Sequence, residues 1–212
     1  MPANQYRSKP NKNQPVFFYR PHERYGVFCQ WYSSPFQVSN ADITALVGTH
    51  IMTTSTDANT TFNCAEQFMM YCKAARFSDE YIQRQVLKTI EPSRQKRLGK
   101  KVENYDEDLW TEVKSQVVET GNYAKFTQDS QLKSWLLGTG ERELVEAALS
   151  DRVWGIGFLG DTDAQIQIAL DNREHWGENR LGKALVVVRE RIRSEMAAGK
   201  GEEATAALTS ST

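Results

Sequence analysis

The chain has 212 residues, of which 40% are hydrophobic, and a formal net charge of −1, which suits one domain with polar ends. This balance excludes a whole-molecule field that would draw the protein onto nucleic acid or an anionic membrane, so any such contact needs a local basic patch. The three cysteines lack CxxC spacing, which makes a disulfide framework or a structural zinc site unexpected and favours a reducing compartment.

The two ends of the chain are polar, and the middle has the composition of a folded domain. We expect residues 1–14 to be a disordered lead-in, residues 15–195 to form the domain and residues 196–212 to be a flexible tail. No apolar signal-peptide segment and no run of about 18 apolar residues is visible. We therefore expect a cytoplasmic or nuclear protein without a membrane partner, and nothing in the sequence fixes its oligomeric state.

Short apolar runs near the N-terminus predict strands at residues 16–19 and 27–32, and loose alternation over residues 36–61 predicts a ragged hairpin or two short strands. From Phe62 onward the pattern becomes helical, with Ser78 and Asp106 as N-caps and Gly121 weakening the last turn of a long helix. The predicted helices cover residues 62–76, 79–90, 92–102, 106–126, 128–137, 142–149 and 179–195. Residues 151–158 predict a turn rich in glycine and aromatic residues. The sequence therefore predicts a mainly α (α+β) fold with a small antiparallel β element near the N-terminus.

Glu66 and Lys73 lie seven residues apart on an unusually apolar helix. At 3.6 residues per turn they share one stripe, and the lysine leans back toward the glutamate. Burial raises the pKa of a glutamate and lowers the pKa of a lysine, whereas their mutual pairing opposes both shifts. The pair is either a catalytic site or a structural ion pair on a partly buried helix.

Four other segments carry charged, aromatic or glycine residues in patterns that fit a ligand. Residues 20–28 form a charged turn, and residues 96–101 form a basic helix end that binds phosphate or complements the helix dipole. Residues 151–157 combine an acid, an indole and two glycines, which fit either a stacking site or a core tryptophan beside a turn. Asn179 starts the last helix, and Arg180 at the positive helix end favours an anion partner over simple capping.

Several familiar chemistries are excluded by their missing motifs. The sequence contains no GxxxxGK[ST] loop, no GxSxG elbow and no Rossmann fingerprint. His22, His50 and His175 lack the spacing of metal ligands. The sequence therefore demands no metal and no cofactor.

Seven motifs occur in an order that resembles the YbiA-like proteins of the NADAR superfamily over residues 16–194. The motifs are Phe18-Tyr19 with Tyr25-Gly26-x-Phe28-x-Gln30-Trp31, Ala65-Glu66-Gln67-Phe68 with Lys73-Ala74, Arg97-Leu98-Gly99, Trp110, Leu144-Val145-Glu146, Asp151-x-x-Trp154-Gly155, and Asn179-Arg180-Leu181-Gly182. The resemblance implies a compact helical domain that hydrolyses N-glycosidic bonds to ribose. It implies two substrate classes: ribosylamino-pyrimidine phosphates of riboflavin biosynthesis, and ADP-ribose attached to guanine in nucleic acid.

Matching this chain to the family's motifs gives the expected site. Glu66 would stabilise positive charge at C1′ or activate water. Lys73 would hold Glu66 ionised or attack an opened sugar, and Asp151 would orient the ribose or act as a second acid–base group. Trp110 and Trp154 would stack on a base, while Arg20, Arg97 and the helix start at Asn179 and Arg180 would hold phosphates. The expected substrate-binding residues are Tyr19, Arg20, Gly26, Phe28, Gln30, Trp31, Arg97, Gly99, Trp110, Glu146, Trp154, Gly155, Asn179, Arg180, Leu181 and Gly182.

Four departures from the bacterial pattern bear on the substrate. Gln67 stands where the family commonly has His, Gln30 where it has Asn, and Ile156 where bacterial members have Asp, which removes an acid from the expected mouth of the site. Residues 38–60 are also longer than a bacterial hairpin needs. These differences favour ADP-ribosylated guanine, in DNA, RNA or a nucleoside, as the substrate. The alternatives are a riboflavin-pathway N-glycosidase and a non-catalytic module that binds ADP-ribose or NAD.

Overall fold

The computed structural model describes residues 14–51 and 58–209, and helices account for most of this part of the chain. The elements follow in the order β1 (Val16–Phe18), a 3₁₀ turn (Gly26–Phe28), β2 (Phe36–Ser39), α1 (Asn40–Val47), β3 (Asn59–Phe62), α2 (Ala65–Arg76), α3 (Glu80–Lys88), α4 (Pro92–Gly99), α5 (Glu107–Gln128), α6 (Ser130–Leu137), β4 (Leu144–Glu146), α7 (Asp163–Asp171), a second 3₁₀ turn (Arg173–His175) and α8 (Arg180–Thr209). The predicted mainly helical α+β fold is confirmed. Within the described residues, no helix combines the length and the apolar character needed to cross a membrane.

Helix α2 lies at the centre of the core because nearly all of its side chains are buried, and it packs against α3, α4 and α5. Two glycines allow this close packing. A Cβ at Gly99 of α4 would lie 2.1 Å from the Met70 sulfur, and a Cβ at Gly121 of α5 would lie 2.5 Å from the Phe68 ring. Gly121 therefore admits a core side chain, and α5 continues past it to Gln128, so the glycine does not break the helix, whereas its weakening effect stays a prediction.

Two pairs of short strands flank the helices. β2 and β3 are antiparallel, with Phe36 opposite Phe62, which confirms the predicted hairpin-like element, although α1 between them was not predicted. β1 pairs in parallel with β4, so that Phe18 lies opposite Glu146. The helix predicted at residues 142–149 is wrong, because Leu144 and the residue after it are fully buried in this strand. A short buried apolar run does not distinguish strand from helix by its pattern.

Local chemistry decides where the other elements begin. Asp106 caps α5 as predicted, since its side chain accepts a hydrogen bond from the Leu109 N–H. Asp79, not the predicted Ser78, caps α3, and Ser78 has a left-handed φ of 56°. The strand predicted at 27–32 is wrong: its first residues form a 3₁₀ turn, in which a Cβ at Gly26 would lie 2.3 Å from a carbonyl oxygen.

The predicted domain boundaries can be compared with the structure at the C-terminal end but hardly at the N-terminal end. The lead-in predicted at residues 1–14 falls outside the described residues except for its last position. Helix α8 continues to Thr209, beyond the end predicted at residue 195, so the backbone of most of the predicted tail is helical. The limits of the folded domain stay a prediction.

Candidate active site

Three carboxylates, one amine and one indole meet where the start of α2, the middle of α4 and the end of β4 converge. The carboxylates are Glu66, Glu146 and Asp151, which interact electrostatically with one another and with Lys96. Trp31 donates a side-chain hydrogen bond to Glu66. Lys96 and Trp31 reach solvent, whereas Glu66 is only 6% exposed. We call these five side chains the carboxylate cluster.

Glu66 occupies the first turn of α2, where the positive end of the helix dipole favours an anion. Burial nevertheless raises its pKa to about 7. The charge of Lys96 and the hydrogen bond from Trp31 oppose this rise, and the charge of Asp151 adds to it. Glu66 therefore exchanges a proton near neutral pH, which a solvent-exposed glutamate does not do.

Glu146 is the last residue of β4 and faces the same cluster. Burial raises its pKa to about 8, with a further rise from Asp151 and a smaller one from Glu66, while Lys96 acts in the opposite direction. Its Oε2 atom is buried and has no hydrogen-bond partner within the described residues. At neutral pH Glu146 therefore holds a proton and presents an unused polar atom to the cluster, which an exposed surface glutamate would not do.

Two glutamines fix the start of α2. The Gln30 carbonyl oxygen accepts a 3.1 Å hydrogen bond from the Glu66 N–H, and its side-chain oxygen accepts one from Asn122. The Gln67 side chain accepts from the Asn63 N–H at 2.7 Å and donates to carbonyls at the end of α3. Both glutamines therefore position Glu66. The buried Gln67 side chain does so by hydrogen bonds that connect the start of α2 to the end of α3.

The loop after β4 places Asp151 beside the two glutamates. One oxygen of Asp151 accepts hydrogen bonds from the backbone N–H groups of Val153 at 3.0 Å and Trp154 at 2.8 Å. Trp154 is half-buried and packs against the main core. A Cβ at Gly155 would lie 2.8 Å from the Glu146 carbonyl oxygen, so glycine is required where the loop crosses β4. The predicted Asp-x-x-Trp-Gly motif thus builds the loop that holds Asp151.

Ile156, the residue that replaces the acid of the bacterial motif, does not lie at the mouth of the site. Its side chain is fully buried in a small cluster with Phe17 and Val145. The expectation that this position borders the opening is therefore wrong, because the chain turns the side chain into the core on the far side of β4.

Asn179 and Gly182 at the start of α8 hold β4 in place. The Asn179 side chain accepts from the Glu146 N–H at 3.1 Å and donates to the Leu144 carbonyl at 2.9 Å, as a neighbouring strand would. This geometry needs the left-handed φ of 50° at Asn179. A Cβ at Gly182 would lie 1.9 Å from the Leu144 oxygen. Both residues therefore position Glu146 through the backbone of its strand.

The first N–H groups of α8 are occupied by carbonyls of the loop after β4. Arg180 donates its N–H to Val153 and Leu181 donates to Trp154, both at 3.1 Å. The Arg180 guanidinium pairs with Glu178 at 2.6 Å. The free helix end predicted for phosphate is therefore wrong, since its donors are used to fold the loop and its arginine is neutralised. Leu181 is fully buried.

Lys73 lies away from the carboxylate cluster. Its Nζ sits 3.9 Å from the centroid of the Tyr105 ring. Burial lowers its pKa, the Glu107 charge opposes this, and neighbouring lysines lower the pKa further. The predicted pairing with Glu66 is wrong, because Lys96 is the cation that acts on that carboxylate. Two helical turns separate Glu66 and Lys73 by about 10 Å along the axis.

The remaining predicted binding residues divide into core residues and exposed cations. Trp110 is 4% exposed and Phe28 is fully buried, so both belong to the core and the predicted stacking by Trp110 is wrong. Gly26 and Gly99 serve close packing, as described above. Arg20 and Arg97 are exposed, and the Arg20 guanidinium lies 5.7 Å from the centroid of the half-buried Tyr19 ring. Phosphate binding by the two arginines stays a prediction.

Sequence reasoning missed Lys96 and the chemical role of Glu146. Lys96 belongs to the basic stretch that the sequence shows at the end of α4, but the pattern does not tell which of its cations acts on the carboxylates. Glu146 was assigned to substrate binding because its place in a buried strand was not predicted. Within the described residues, no group of three or more His, Cys, Asp or Glu side chains is arranged to hold a metal ion.

A buried carboxyl at a helix start and a half-buried carboxyl at a strand end, both with raised pKa values, form a site of the type that performs acid–base chemistry. The chain carrying them belongs to the NADAR family, since the NADAR domain model matches residues 17–193. This confirms the resemblance inferred from the seven motifs.

Three relatives illustrate the family. The chain is 36% identical to N-glycosidase R617 of Acanthamoeba polyphaga mimivirus over 126 residues, which cover 59% of this chain and 72% of the viral protein. It is 30% identical to N-glycosidase YbiA of Escherichia coli over 125 residues, 59% of this chain and 69% of YbiA. The NMR structure of YbiA matches with a TM-score of 0.60 and 24% identity, covering 87% of this chain and 88% of that one, which shows the shared fold.

A third relative carries a different name. The chain is 26% identical over 179 residues to the riboflavin biosynthesis protein VVA0006 of Vibrio vulnificus, with 84% of this chain and 39% of the Vibrio protein aligned. The aligned part is thus a minor share of that larger protein.

Proposed function

We propose that this protein hydrolyses the N-glycosidic bond between a ribose and a base, and that ADP-ribosylated guanine is its substrate. The observation that carries the proposal is a pair of carboxyls whose pKa values are raised by burial, that of buried Glu66 to about 7 and that of half-buried Glu146 to about 8. Two relatives named N-glycosidases support the reaction class. The choice of guanine rests on the family resemblance, since the structure gives Gln30, Gln67 and Ile156 structural roles.

The two carboxyls divide the work of breaking the bond. As the bond from C1′ to the base nitrogen breaks, its electron pair goes to the base and positive charge develops on the sugar. Ionised Glu66 stabilises this charge or takes a proton from the attacking water. Protonated Glu146 supplies the proton to the departing base. Asp151 stands beside both groups and, as a further negative charge, favours the cationic transition state.

The test uses Glu66→Gln with an exposed-residue control, Glu103→Gln. Each purified protein is incubated with ADP-ribosylated guanosine, both as a nucleoside and within DNA, and the products are identified by mass. We expect a loss of about 10²–10⁴-fold for Glu66→Gln and no loss for the control, with unchanged circular dichroism. Near wild-type release of ADP-ribose by Glu66→Gln would refute the assignment.

A second candidate function follows from the relative named for riboflavin biosynthesis. A phosphorylated ribosylamino-pyrimidine presents the same bond and needs only a single phosphate contact. Parallel assays with this compound separate the two, since a true ADP-ribosyl-guanine hydrolase prefers the larger substrate in kcat/KM. Tight ADP-ribose binding without hydrolysis of either compound would instead indicate a binding module.

A further inference from the structure

A cavity of about 660 Å³ opens at the surface where the segment before the first 3₁₀ turn meets α6. Its lining includes Arg24, Tyr25, Trp135, Thr139 and Arg142, together with small polar residues of α6, and it includes no acidic residue. None of the carboxylate cluster lines it. It is therefore a second site of distinct chemistry, and we call it the arginine cavity.

The two arginines leave the cavity with unneutralised positive charge. Neither Arg24 nor Arg142 forms an ion pair within the described residues, whereas Arg193 and Arg173 are each paired with glutamates. The guanidinium of Arg142 makes one hydrogen bond there, from Nε to the Thr139 carbonyl at 2.9 Å. Its remaining donors are available for an anion, and planar guanidinium groups match the oxygens of phosphate.

An aromatic surface lies beside this charge. Trp135 is 45% exposed and meets the Tyr25 ring edge-on, with 6.3 Å between the centroids. Tyr25 in turn stacks on Phe28 in the core at an interplanar angle of 17°, which fixes its position. Arg24 lies 5.1 Å from the Tyr25 centroid. An exposed indole held against a rigid ring, next to two guanidinium groups, is the combination that binds a base and its phosphate.

We propose that the arginine cavity binds one nucleotide unit of a single-stranded nucleic acid, with the phosphate on Arg24 and Arg142 and the base against Trp135. With a net charge of −1, the protein has no general attraction for nucleic acid, and the cavity supplies the local basic patch such binding requires.

The cavity and the carboxylate cluster lie at two ends of one short segment. Trp31 at the cluster lies six positions after Tyr25 at the cavity, so their Cα atoms are at most about 22 Å apart. A strand that advances at least about 3.4 Å per nucleotide, the rise in duplex DNA, covers at most about 22 Å in no more than about seven nucleotides. The link between the sites rests on the proposed function, whereas binding at the cavity does not.

The first experiment measures binding of a fluorescent, unmodified DNA 10-mer to the full chain by anisotropy. We expect Trp135→Ala to weaken binding roughly 10- to 100-fold, the loss of one stacked base. We expect Arg24→Gln with Arg142→Gln to reduce the slope of log affinity against log salt by about 1.4, the value for two phosphate contacts on a single strand. Tyr81→Ala and Arg191→Gln, at exposed positions elsewhere, are the matched controls.

The outcomes separate the nucleic acid from other sources of the same chemistry. The proposal is overturned if the cavity variants bind the 10-mer as tightly as the wild type does. It is also overturned if the wild type does not bind the 10-mer. Adenosine monophosphate that binds as tightly as the 10-mer assigns the cavity to free nucleotides and likewise overturns it. Circular dichroism and thermal unfolding of each variant show that the fold is intact.

A second measurement distinguishes failure of this inference from failure of the proposed function. With ADP-ribosylated guanosine as a nucleoside, we expect Trp135→Ala to retain wild-type hydrolysis, because that substrate has no flanking nucleotide for the cavity to bind. With the same base inside a strand of ten nucleotides, the variant should lose the advantage in KM that the wild type gains from the longer substrate. Equal KM values of wild type and variant on the strand contradict the link between the two sites.

Discussion

The pH dependence of hydrolysis tests the division of labour between Glu66 and Glu146. In the proposed mechanism, the reactive form holds Glu66 ionised and Glu146 protonated. With pKa values of about 7 and about 8, this form makes up about 60% of the molecules near pH 7.5 and about 3% at pH 5.5 or 9.5. We therefore expect a narrow bell-shaped profile of kcat/KM, with about 20-fold losses at those two pH values. Because the two carboxyls interact, the apparent pKa values of the acid and alkaline limbs describe the pair of groups and not either residue alone.

The variant Glu146→Gln removes the proton donor and keeps the neutral charge that Glu146 has below pH 8. We expect kcat/KM to fall by about 10²–10⁴-fold near neutral pH, the usual contribution of a general acid. The alkaline limb should disappear, while the acid limb stays near pH 7, because the electrostatic surroundings of Glu66 are unchanged there. Glu103→Gln, an exposed substitution of the same type, should keep both limbs.

The assay measures ADP-ribose release from the guanosine substrate at low concentration between pH 5 and 10. Stability of each variant across this range is checked by circular dichroism. A wild-type rate that keeps rising between pH 8 and 10 would refute the role of a protonated carboxyl. A Glu146→Gln variant that is slow but retains the alkaline limb would show that Glu146 only supports the site.

Three further predictions concern residues around the site and in the core. Lys96→Gln removes the cation that favours ionised Glu66, so the acid limb of the pH profile should move to higher pH. Lys73→Gln should leave the acid limb in place. Both effects are measured as kcat/KM between pH 5.5 and 8. Gly182→Ala places a Cβ 1.9 Å from a β4 oxygen and should cost about 2–3 kcal/mol in urea unfolding. Lys125→Met removes a buried amine whose pKa burial lowers to about 8, and should add about 1–3 kcal/mol of stability at pH 7. Because the folded-state pKa of Lys125 lies below the unfolded value, that gain is complete below pH 8 and should vanish toward pH 10.5.

The sequence predicts those parts of the fold that depend on local signals. The long apolar run around Glu66 gave α2, and Asp106 before a helical pattern gave the start of α5, because capping and periodicity act over a few residues. β4 was mistaken for a helix, since its partner β1 lies about 130 residues away and no local pattern reports such pairing. Helix α7 was missed, although its Thr162–Gln165 capping box is readable in the sequence.

The candidate site follows the same division. Glu66 could be predicted because a carboxylate within an apolar helix is unusual, and this pattern is visible without knowing which elements the helix packs against. Its partner was not, since spacing on one helix shows only that Lys73 shares a stripe with Glu66, whereas Lys96 arrives from another helix. The anion site predicted at Arg180 failed because the loop carbonyls that occupy the helix end come from residues about 25 positions earlier. Such contacts depend on tertiary packing, which local sequence patterns do not show.

The charge count of the carboxylate cluster explains why an acid and a base coexist in it. Three carboxylates face one amine, Lys96, and Glu66 is buried and Glu146 half-buried, so full ionisation would leave excess negative charge in a poorly hydrated site. The cluster therefore retains a proton near neutral pH, and we place that proton on Glu146, whose pKa is raised to about 8 by burial and by the charge of Asp151. The charge that remains is negative and fixed by α2, β4 and the Asp151 loop before substrate arrives. In the proposed reaction, a sugar that becomes cationic at C1′ would relieve this repulsion, so the excess negative charge, which adds to the effect of burial on both pKa values, would lower the barrier to breaking the bond.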